Sequence, residues 1–482
     1  MGNNRNKRLF RKGERIELNI IDLAFGGKGI AKTPTEDGDF VCFVDNSLPG
    51  QKVLASVHKC KKKHAECKLV EVLEKSKEEV ETPYQMIPGA PYAQLPIQLQ
   101  EQNKKNTCFQ LFKRIGKIED LETKYDEFIS SPEVWHYRNK MEYSFSAIRY
   151  DFAVKGDVDE FAFGFKHRGT WWMVEDLEKD SGLFDAELEN AFPLLKDFFM
   201  RANLSPWHPP KKEGFLRFLV ARKSYAENKL LLNLVTTSAE LDRFDMEAFV
   251  KLLKTILGDR FAGLLHTIND SIGDRIQATD GNCTLIYGED KIVENLLGLN
   301  FEISMQSFFQ TNPKCAEKLY TKVIEYVKCT QDKQEVVLDL FCGTGTIGQL
   351  IAAQLPNIEV IGVDIVPEAI TDAKKNAKRN NINGLKFFAA DVGKFLQEYP
   401  QYKGTISTVV LDPPRAGISP KTLKKVVQLN AKRLVYVSCN PATQARDTEY
   451  LVNSGYQLIK LSLVDQFPHT SHVESIVLFE KQ

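Results

Sequence analysis

The sequence predicts a multidomain protein with a small N-terminal β-barrel, a central α+β domain and a C-terminal α/β domain. Three observations predict this. Short strand-like runs separated by glycine and proline turns fill residues 14–74. Strand-like and helical runs then mix without regular order from 134 to 300. After about 305, strand and helix alternate regularly, the signature of a parallel α/β sheet. At 482 residues the chain is also too long for one core.

The elements follow in chain order. Ile16 to Ile21 is apolar-rich, Gly26-Gly27-Lys28-Gly29 is a turn, and Phe40 to Val44 is β-like. Leu48-Pro49-Gly50 punctuates, Lys52 to Val57 alternates, and Lys68 to Leu73 closes a set of five strands that fits a small closed barrel. Residues 75–95 read as loop, with Pro83, Pro88 and Pro91. Ile97–Ile118 has Leu99, Cys108, Leu111, Phe112 and Ile115 at helical spacing. In the central part Lys140–Ile148, Phe161–Lys166 and Leu230–Thr236 read as strands, and Leu188–Arg201 and Phe244–Leu257 as helices. The ranges predicted are 1–74, 75–304 and 305–482, with the helix at about 97–118 a candidate to pack on the last domain.

Composition is that of a globular protein, 43% hydrophobic and 27% charged, with 64 basic and 64 acidic residues. Charge is uneven all the same. Arg5, Lys7, Arg8, Arg11 and Lys12 occur without an acid, and Lys59, Lys61, Lys62, Lys63 and His64 form a second cluster. Either cluster attracts phosphate, or else is a solvated surface. Nine scattered cysteines do not resemble a disulfide framework. The N-terminus lacks the apolar segment of a signal peptide, and no run of about 18 apolar residues predicts a membrane span. A reduced cytoplasmic setting is expected.

The clearest motif is Val336-Val337-Leu338-Asp339-Leu340-Phe341-Cys342-Gly343-Thr344-Gly345-Thr346-Ile347-Gly348. A strand runs into a glycine turn that opens a helix, so backbone N–H groups can meet a ligand closely. Gly343, Gly345 and Gly348 match a fingerprint that also fits dinucleotides. Asp339 argues against a pyrophosphate, since it would repel one, and favours the ammonium of a methionine moiety. A second strand ends in Asp364, 21 residues after Gly343, placed to accept ribose hydroxyls. A third leads to Asp391, placed to meet an adenine amino group. Three successive strand-end acids point to a nucleoside-methionine pocket; the competing reading is that they cap the following helices.

A fourth strand ends in Asp412-Pro413-Pro414-Arg415-Ala416-Gly417 and a fifth in Ser438-Cys439-Asn440-Pro441. Ligands of open α/β sheets bind beyond the carboxyl ends of strands. Cys439 is therefore expected at the methyl donor, although a lone cysteine commonly fills a core. A thiol has work to do there: its addition to C6 of uracil makes C5 nucleophilic. A base must later remove the C5 proton, and Glu474 in His472-Val473-Glu474 is the candidate, with His469 and His472 as competitors.

Asp412-Pro-Pro-Arg415, Ser438-Cys-Asn-Pro441, His472-Val-Glu474 and Phe308-Phe-Gln-Thr-Asn312 together resemble the RNA 5-methyluridine methyltransferase family, over essentially the whole chain. Residues 14–74 resemble its RNA-binding TRAM barrel, of the OB-like kind, and Tyr137-Arg138-Asn139-Lys140-Met141-Glu142 resembles a central-domain motif. The resemblance implies a class I, Rossmann-like methyltransferase domain using S-adenosyl-L-methionine, with Cys439 as nucleophile and Glu474 as proton acceptor. It implies cofactor contacts at Gln310, Phe341, Asp364, Asp391 and Asp412, and at Thr346, where the family often has Asn. With Asp339, Gly343 and Gly345 these complete the expected site, in which Asp412 is counted with Cys439 and Glu474 among the catalytic residues. Many members hold an iron–sulfur cluster on four cysteines; here those positions are Thr82, Pro88 and Pro91 of Pro88-Gly89-Ala90-Pro91, and a place near Asp180, so no metal is expected. Cys60 and Cys67 lie elsewhere. The expected partner is RNA reached as a flipped or single-stranded base, with large-subunit (23S) ribosomal RNA favoured over the T-loop of transfer RNA, acted on by a monomer. A non-catalytic RNA-binding factor and a cytosine C5 methyltransferase are the other readings.

Overall fold

The computed structural model describes residues 9–35, 38–273, 275–276, 282–328, 335–402 and 404–482. Arg5, Lys7 and Arg8 lie outside them. The N-terminal unit is a six-stranded sheet in the order Arg15–Asn19, Lys52–Cys60, His64–Glu74, Gly38–Asp45, Gly29–Thr35, Asp22–Leu23. Its ends meet because Ile20 N–H donates to Gln51 O and Ile21 N–H to Ile30 O. Alternate residues (Leu18, Phe40, Cys42, Val44, Val53, Ala55, Val57, Ala65 and Cys67) fill the interior. The sixth strand is the two-residue Asp22–Leu23, too short to read from periodicity. Lys59, Lys61, Lys62 and Lys63 are exposed around the turn joining two long strands, and Arg11 and Lys12 are exposed as well.

The central sheet has nine strands and packs Phe192, Phe199, Phe249 and Leu253 of its helices against Tyr143, Phe145, Phe163 and Leu219. The helical run expected from 188 to 201 is two helices, Ala186–Asn190 and Phe192–Arg201. Pro193 explains the break, since it lacks the N–H that a continuous helix would use.

The third sheet has eight strands, in the order Leu385–Ala389, Glu359–Asp364, Val336–Leu340, Ile406–Leu411, Arg433–Ser438, Glu474–Lys481, Tyr456–Val464, Tyr125–Ile129. The first five are mutually parallel. A wholly parallel sheet is not what forms: Glu474–Lys481 runs antiparallel to both neighbours. It is joined to Tyr456–Val464 by a loop without a helix, so no crossover exists to turn the chain around. Residues 97–129, grouped by sequence with the central part, lie here, in keeping with the candidate packing of the helix at about 97–118 on this domain. Tyr125–Ile129 is the edge strand, and Cys108 and Phe112 of the helix Ile97–Arg114 sit in this domain's core with Leu434, Leu461 and Phe479. No helix of the described residues is long and apolar enough to cross a membrane.

Candidate active site

The strand Val336–Leu340 ends in a turn whose backbone is left-handed at Phe341 (φ 63°), Gly343 (φ 53°) and Gly345 (φ 71°). Gly345 precedes the helix Thr346–Gln354, and a Cβ on it would stand 2.4 Å from Phe387 Cζ. That glycine thus serves helix-to-sheet packing and does not border the cavity described next. Asp339 does not border it either. It is fully buried and its Oδ2 accepts from Gly348 N–H at 3.0 Å, while Oδ1 has no partner. Burial, then the charge of Asp412, pushes its carboxyl up to about 8. The acid expected to meet an ammonium therefore braces the glycine turn from behind.

A cavity of about 1040 Å³ opens over the carboxyl ends of the parallel strands. Phe341, Gly343, Thr346, Asp364 and Asp391 line one end, and Gln310, Asp412, Arg415, Cys439, Phe467 and Glu474 complete it. Asp364 accepts from Gly343 N–H and Val366 N–H, each at 2.9 Å, which fixes the carboxylate at the strand end. Asp391 caps the helix Val392–Glu398 through Lys394 N–H at 3.0 Å, so the capping reading holds for it while its exposed side chain also reaches the cavity. Gln310 is held by Gln466 Nε2, which donates to its Oε1 at 3.3 Å, and by Asn139 Nδ2, which donates to its backbone O at 3.1 Å. Acceptors for ribose hydroxyls and an amino group stand beside the apolar Phe341, Ile365, Val366 and Val392. This donor set fits an adenosyl-methionine.

At the other end, Cys439 follows the strand Arg433–Ser438, and Glu474 begins the strand paired with it; Ser438 and Ser475 are partners in register. Asn440 caps the helix Pro441–Asn453 through Ala442 N–H, and its Nδ2 donates to Arg415 O at 2.9 Å. The helix N-terminus therefore lies just beyond the thiol and favours its anion. Burial pushes Cys439 up to about 11, helped by the negative charges of Glu474 and Asp412, while Arg415 pulls it down. Burial also lifts Glu474 to about 8 and Asp412 to about 7. The charge of Asp412 adds to the rise at Glu474, and both acids make the Cys439 thiol harder to ionise.

The competing histidines do not suit the role of base. His469 is buried outside the cavity, with its ring stacked on Trp135 at 3.7 Å and its Nδ1 3.1 Å from Gln100 Nε2. Desolvation lowers both His469 and His472 to about 4. Residues to which the sequence assigned no part in the site hold its loop in place. Lys104 Nζ donates to Asp465 Oδ1 at 2.6 Å and to Phe467 O at 3.0 Å, and Tyr137 O–H donates to Pro468 O at 2.9 Å. The motif around Tyr137 was visible in the sequence; its reach into this loop was not.

The loop aligned with the family's cluster positions is built from other chemistry. Tyr84 lies tilted against Trp135 at 4.6 Å, His136 Nε2 is 2.8 Å from Asp180 Oδ2, and Gln85 N–H donates to Asp180 O at 2.9 Å. Among the described residues no three histidine, cysteine or acidic side chains group as metal ligands.

Comparison with known proteins agrees with this geometry. Residues 284–482 match the model of the tRNA (uracil-5-)-methyltransferase family, and residues 10–70 match the TRAM domain. An uncharacterized RNA methyltransferase of Clostridium tetani is 37% identical over 97% of this chain and 98% of its own. Another, of Chlorobaculum tepidum, is 33% identical over 98% and 97%. The crystal structure of Pyrococcus abyssi tRNA (uracil-54, C5)-methyltransferase in complex with S-adenosyl-L-homocysteine covers 96% of this chain and 100% of its own, with a TM-score of 0.71 at 26% identity. A barrel of the TRAM kind, a cavity fitted to S-adenosyl-L-methionine and full-length relatives all lead to one conclusion: the chain belongs to the RNA uracil-5-methyltransferase family, enzymes that depend on S-adenosyl-L-methionine.

Proposed function

We propose that the protein methylates C5 of a specific uridine in large-subunit (23S) ribosomal RNA through a covalent bond between Cys439 and C6 of the base. The observation that carries the reading is the placement of Cys439 and Glu474 on adjacent strand ends of one cavity whose far end holds Asp364 and Asp391. S-adenosylmethionine, when bound, supplies a methyl group on a positively charged sulfur. The Cys439 thiolate, favoured by Arg415 and the helix N-terminus, adds to C6, and the C5–C6 electron pair passes into an enolate through O4. C5 would take the methyl group as its bond to the sulfonium sulfur breaks, leaving a neutral thioether. Glu474 then removes the C5 proton, the electron pair re-forms the double bond, and the sulfur leaves C6. A carboxyl with its affinity for protons raised by burial suits that last step.

The exposed lysines of the barrel support RNA as the partner, and the cavity is open enough for a single flipped base. The protein is taken to act as a cytoplasmic monomer. A second reading keeps the chemistry and moves it to the T-loop uridine of transfer RNA; full-length likeness to the Pyrococcus abyssi tRNA (uracil-54, C5)-methyltransferase favours it. A non-catalytic role fits poorly with Cys439, Glu474 and Asp412 together in one cavity. Mapping 5-methyluridine in ribosomal and transfer RNA from cells with and without the gene tests this. Loss of one ribosomal site supports the first target, loss at the T-loop the second, and loss at neither overturns both.

A further inference from the structure

Residues 465–473 join the strands Tyr456–Val464 and Glu474–Lys481, and the pair Val464–Glu474 closes this hairpin. A loop of that length is ordinarily mobile. Here five residues from four parts of the chain hold it. Lys104 of the helix Ile97–Arg114 binds Asp465 and the carbonyl of Phe467, and both charged side chains are at most 2% exposed. Gln466 is tied to Asn312, whose Nδ2 donates to Gln466 O at 3.2 Å. Tyr137 of the central domain holds Pro468 O at 2.9 Å. Gln100 Oε1 accepts from His469 N–H at 2.8 Å. From the barrel, Gly27 approaches so closely that a Cβ on it would lie 3.0 Å from Ser471 Cβ.

What this clamping presents is the ring of Phe467. It is half-buried, packs at its back against the central-domain core, and borders the cavity with Cys439, Arg415 and Glu474. His472 meets it edge-on at 6.0 Å, and the Arg138 guanidinium lies 5.9 Å from its centroid. A partly exposed aromatic ring fixed at the cavity wall beside Cys439 offers an apolar surface suited to the π face of a pyrimidine. Phe308 also borders the cavity, but it is 71% exposed, and its ring is not held in this way.

Resting on the covalent reading above, we propose that Phe467 is the residue on which the target uracil stacks, with Tyr137 and Lys104 as positioning residues that fix its ring relative to Cys439. Stacking orients C6 towards the thiol and leaves C5 open to the methyl donor. It acts on capture of the base and not on the cofactor.

The test uses total RNA from cells lacking the gene and grown on 5-fluorouracil, which places 5-fluorouridine in ribosomal and transfer RNA alike. Fluorine at C5 leaves no proton to remove, so the methylated Cys439 adduct persists and its rate of formation reports capture without Glu474. Phe467→Ala should slow adduct formation at saturating S-adenosylmethionine by roughly 10- to 100-fold, the scale of one base stack. Phe467→Tyr should restore it. Tyr137→Phe, which removes only the hydroxyl, should slow it less than Phe467→Ala does. Calorimetric affinity for S-adenosylmethionine should be unchanged in all three. If the wild-type protein forms no adduct, the covalent mechanism falls and this inference with it. If the wild type forms it and Phe467→Ala matches that rate, or if Phe308→Ala alone blocks capture, the stacking role is overturned while the covalent mechanism stands.

Discussion

Cys439 and Glu474 stand one step beyond the Ser438–Ser475 pair, at the facing ends of two antiparallel strands. The last pair of the ladder delivers both side chains to the one cavity that they border, so the sheet brings the proposed nucleophile and base together. Residues 35 positions apart in sequence become neighbours because the last strand turns back without a crossover.

At the cofactor end, Asp364→Ala should weaken S-adenosylmethionine binding. It removes a charged acceptor from the ribose hydroxyls, and hydrogen bonds to charged groups are worth about 1.5–3 kcal/mol, so roughly 10–100-fold is expected. Asp364 also receives Gly343 N–H and Val366 N–H, so Asp364→Asn should recover part of the loss by keeping an acceptor. Calorimetry giving unchanged affinity for the alanine variant would remove Asp364 from the site.

Glu474 makes stability depend on pH with a definite sign. Its folded-state value near 8 exceeds the ordinary 4.5, so between those values the folded protein keeps a proton that the unfolded chain has released. Stability therefore falls as pH rises from about 4.5 to about 8. Glu474→Gln cannot ionise, and it should melt at a higher temperature than the wild type at pH 8–9 but not at pH 5. Equal melting temperatures across that range would mean the carboxyl ionises as easily folded as unfolded.

Much of the candidate site was legible because strand-end position is a local property. Asp364, Asp391, Asp412 and Cys439 each follow a short apolar run, and the chain must deliver such residues to one edge of the sheet. Direction was less legible than position. The spacing placed Asp339 at the turn but could not say that its side chain faces Gly348 rather than the cavity. Least legible were the supports. Lys104 and Asp465 are 361 residues apart, and although the helix at about 97–118 is a candidate to pack on the last domain, nothing in its sequence singles out Lys104 as the partner of Asp465. His469, a candidate base by sequence, is enclosed by Trp135 and Gln100, both more than 300 residues away in the chain.

The barrel lysines should act through phosphate charge. Lys59, Lys61, Lys62 and Lys63 are exposed around one turn, and removing the cation that neutralises one phosphate should lower the log–log salt slope of RNA binding by about 0.7–0.9. Filter binding of the quadruple alanine variant over a range of salt measures this. An unaltered slope would show these lysines to be only a solvated face.

The loop at Thr82–Pro91 should hold no iron. Tyr84, Trp135, His136 and Asp180 knit it to the central domain, and protein purified without oxygen should be colourless. Stoichiometric iron with a broad visible absorbance would place a cluster there and overturn the expectation of a metal-free enzyme.

The mechanism itself is tested by pairing two variants. Cys439→Ala cannot add to C6, so it should give neither methylated RNA nor a covalent complex. Glu474→Gln retains the thiol, and addition and methyl transfer can proceed, but the C5 proton has no acceptor. Loss of a positioned base typically costs about 10²–10⁴-fold, so the methylated adduct should accumulate and survive denaturing electrophoresis. Its formation should need S-adenosylmethionine and target RNA together. The histidines offer no ready substitute, since neither borders the cavity and burial, which lowers both to about 4, makes them weak proton acceptors. Normal turnover by Glu474→Gln would transfer the role of base to another group, with the Asp412 carboxyl next in line because it borders the same cavity and is raised to about 7. Activity retained by Cys439→Ala would remove the covalent step and leave a methyltransferase that reaches C5 without a thiol.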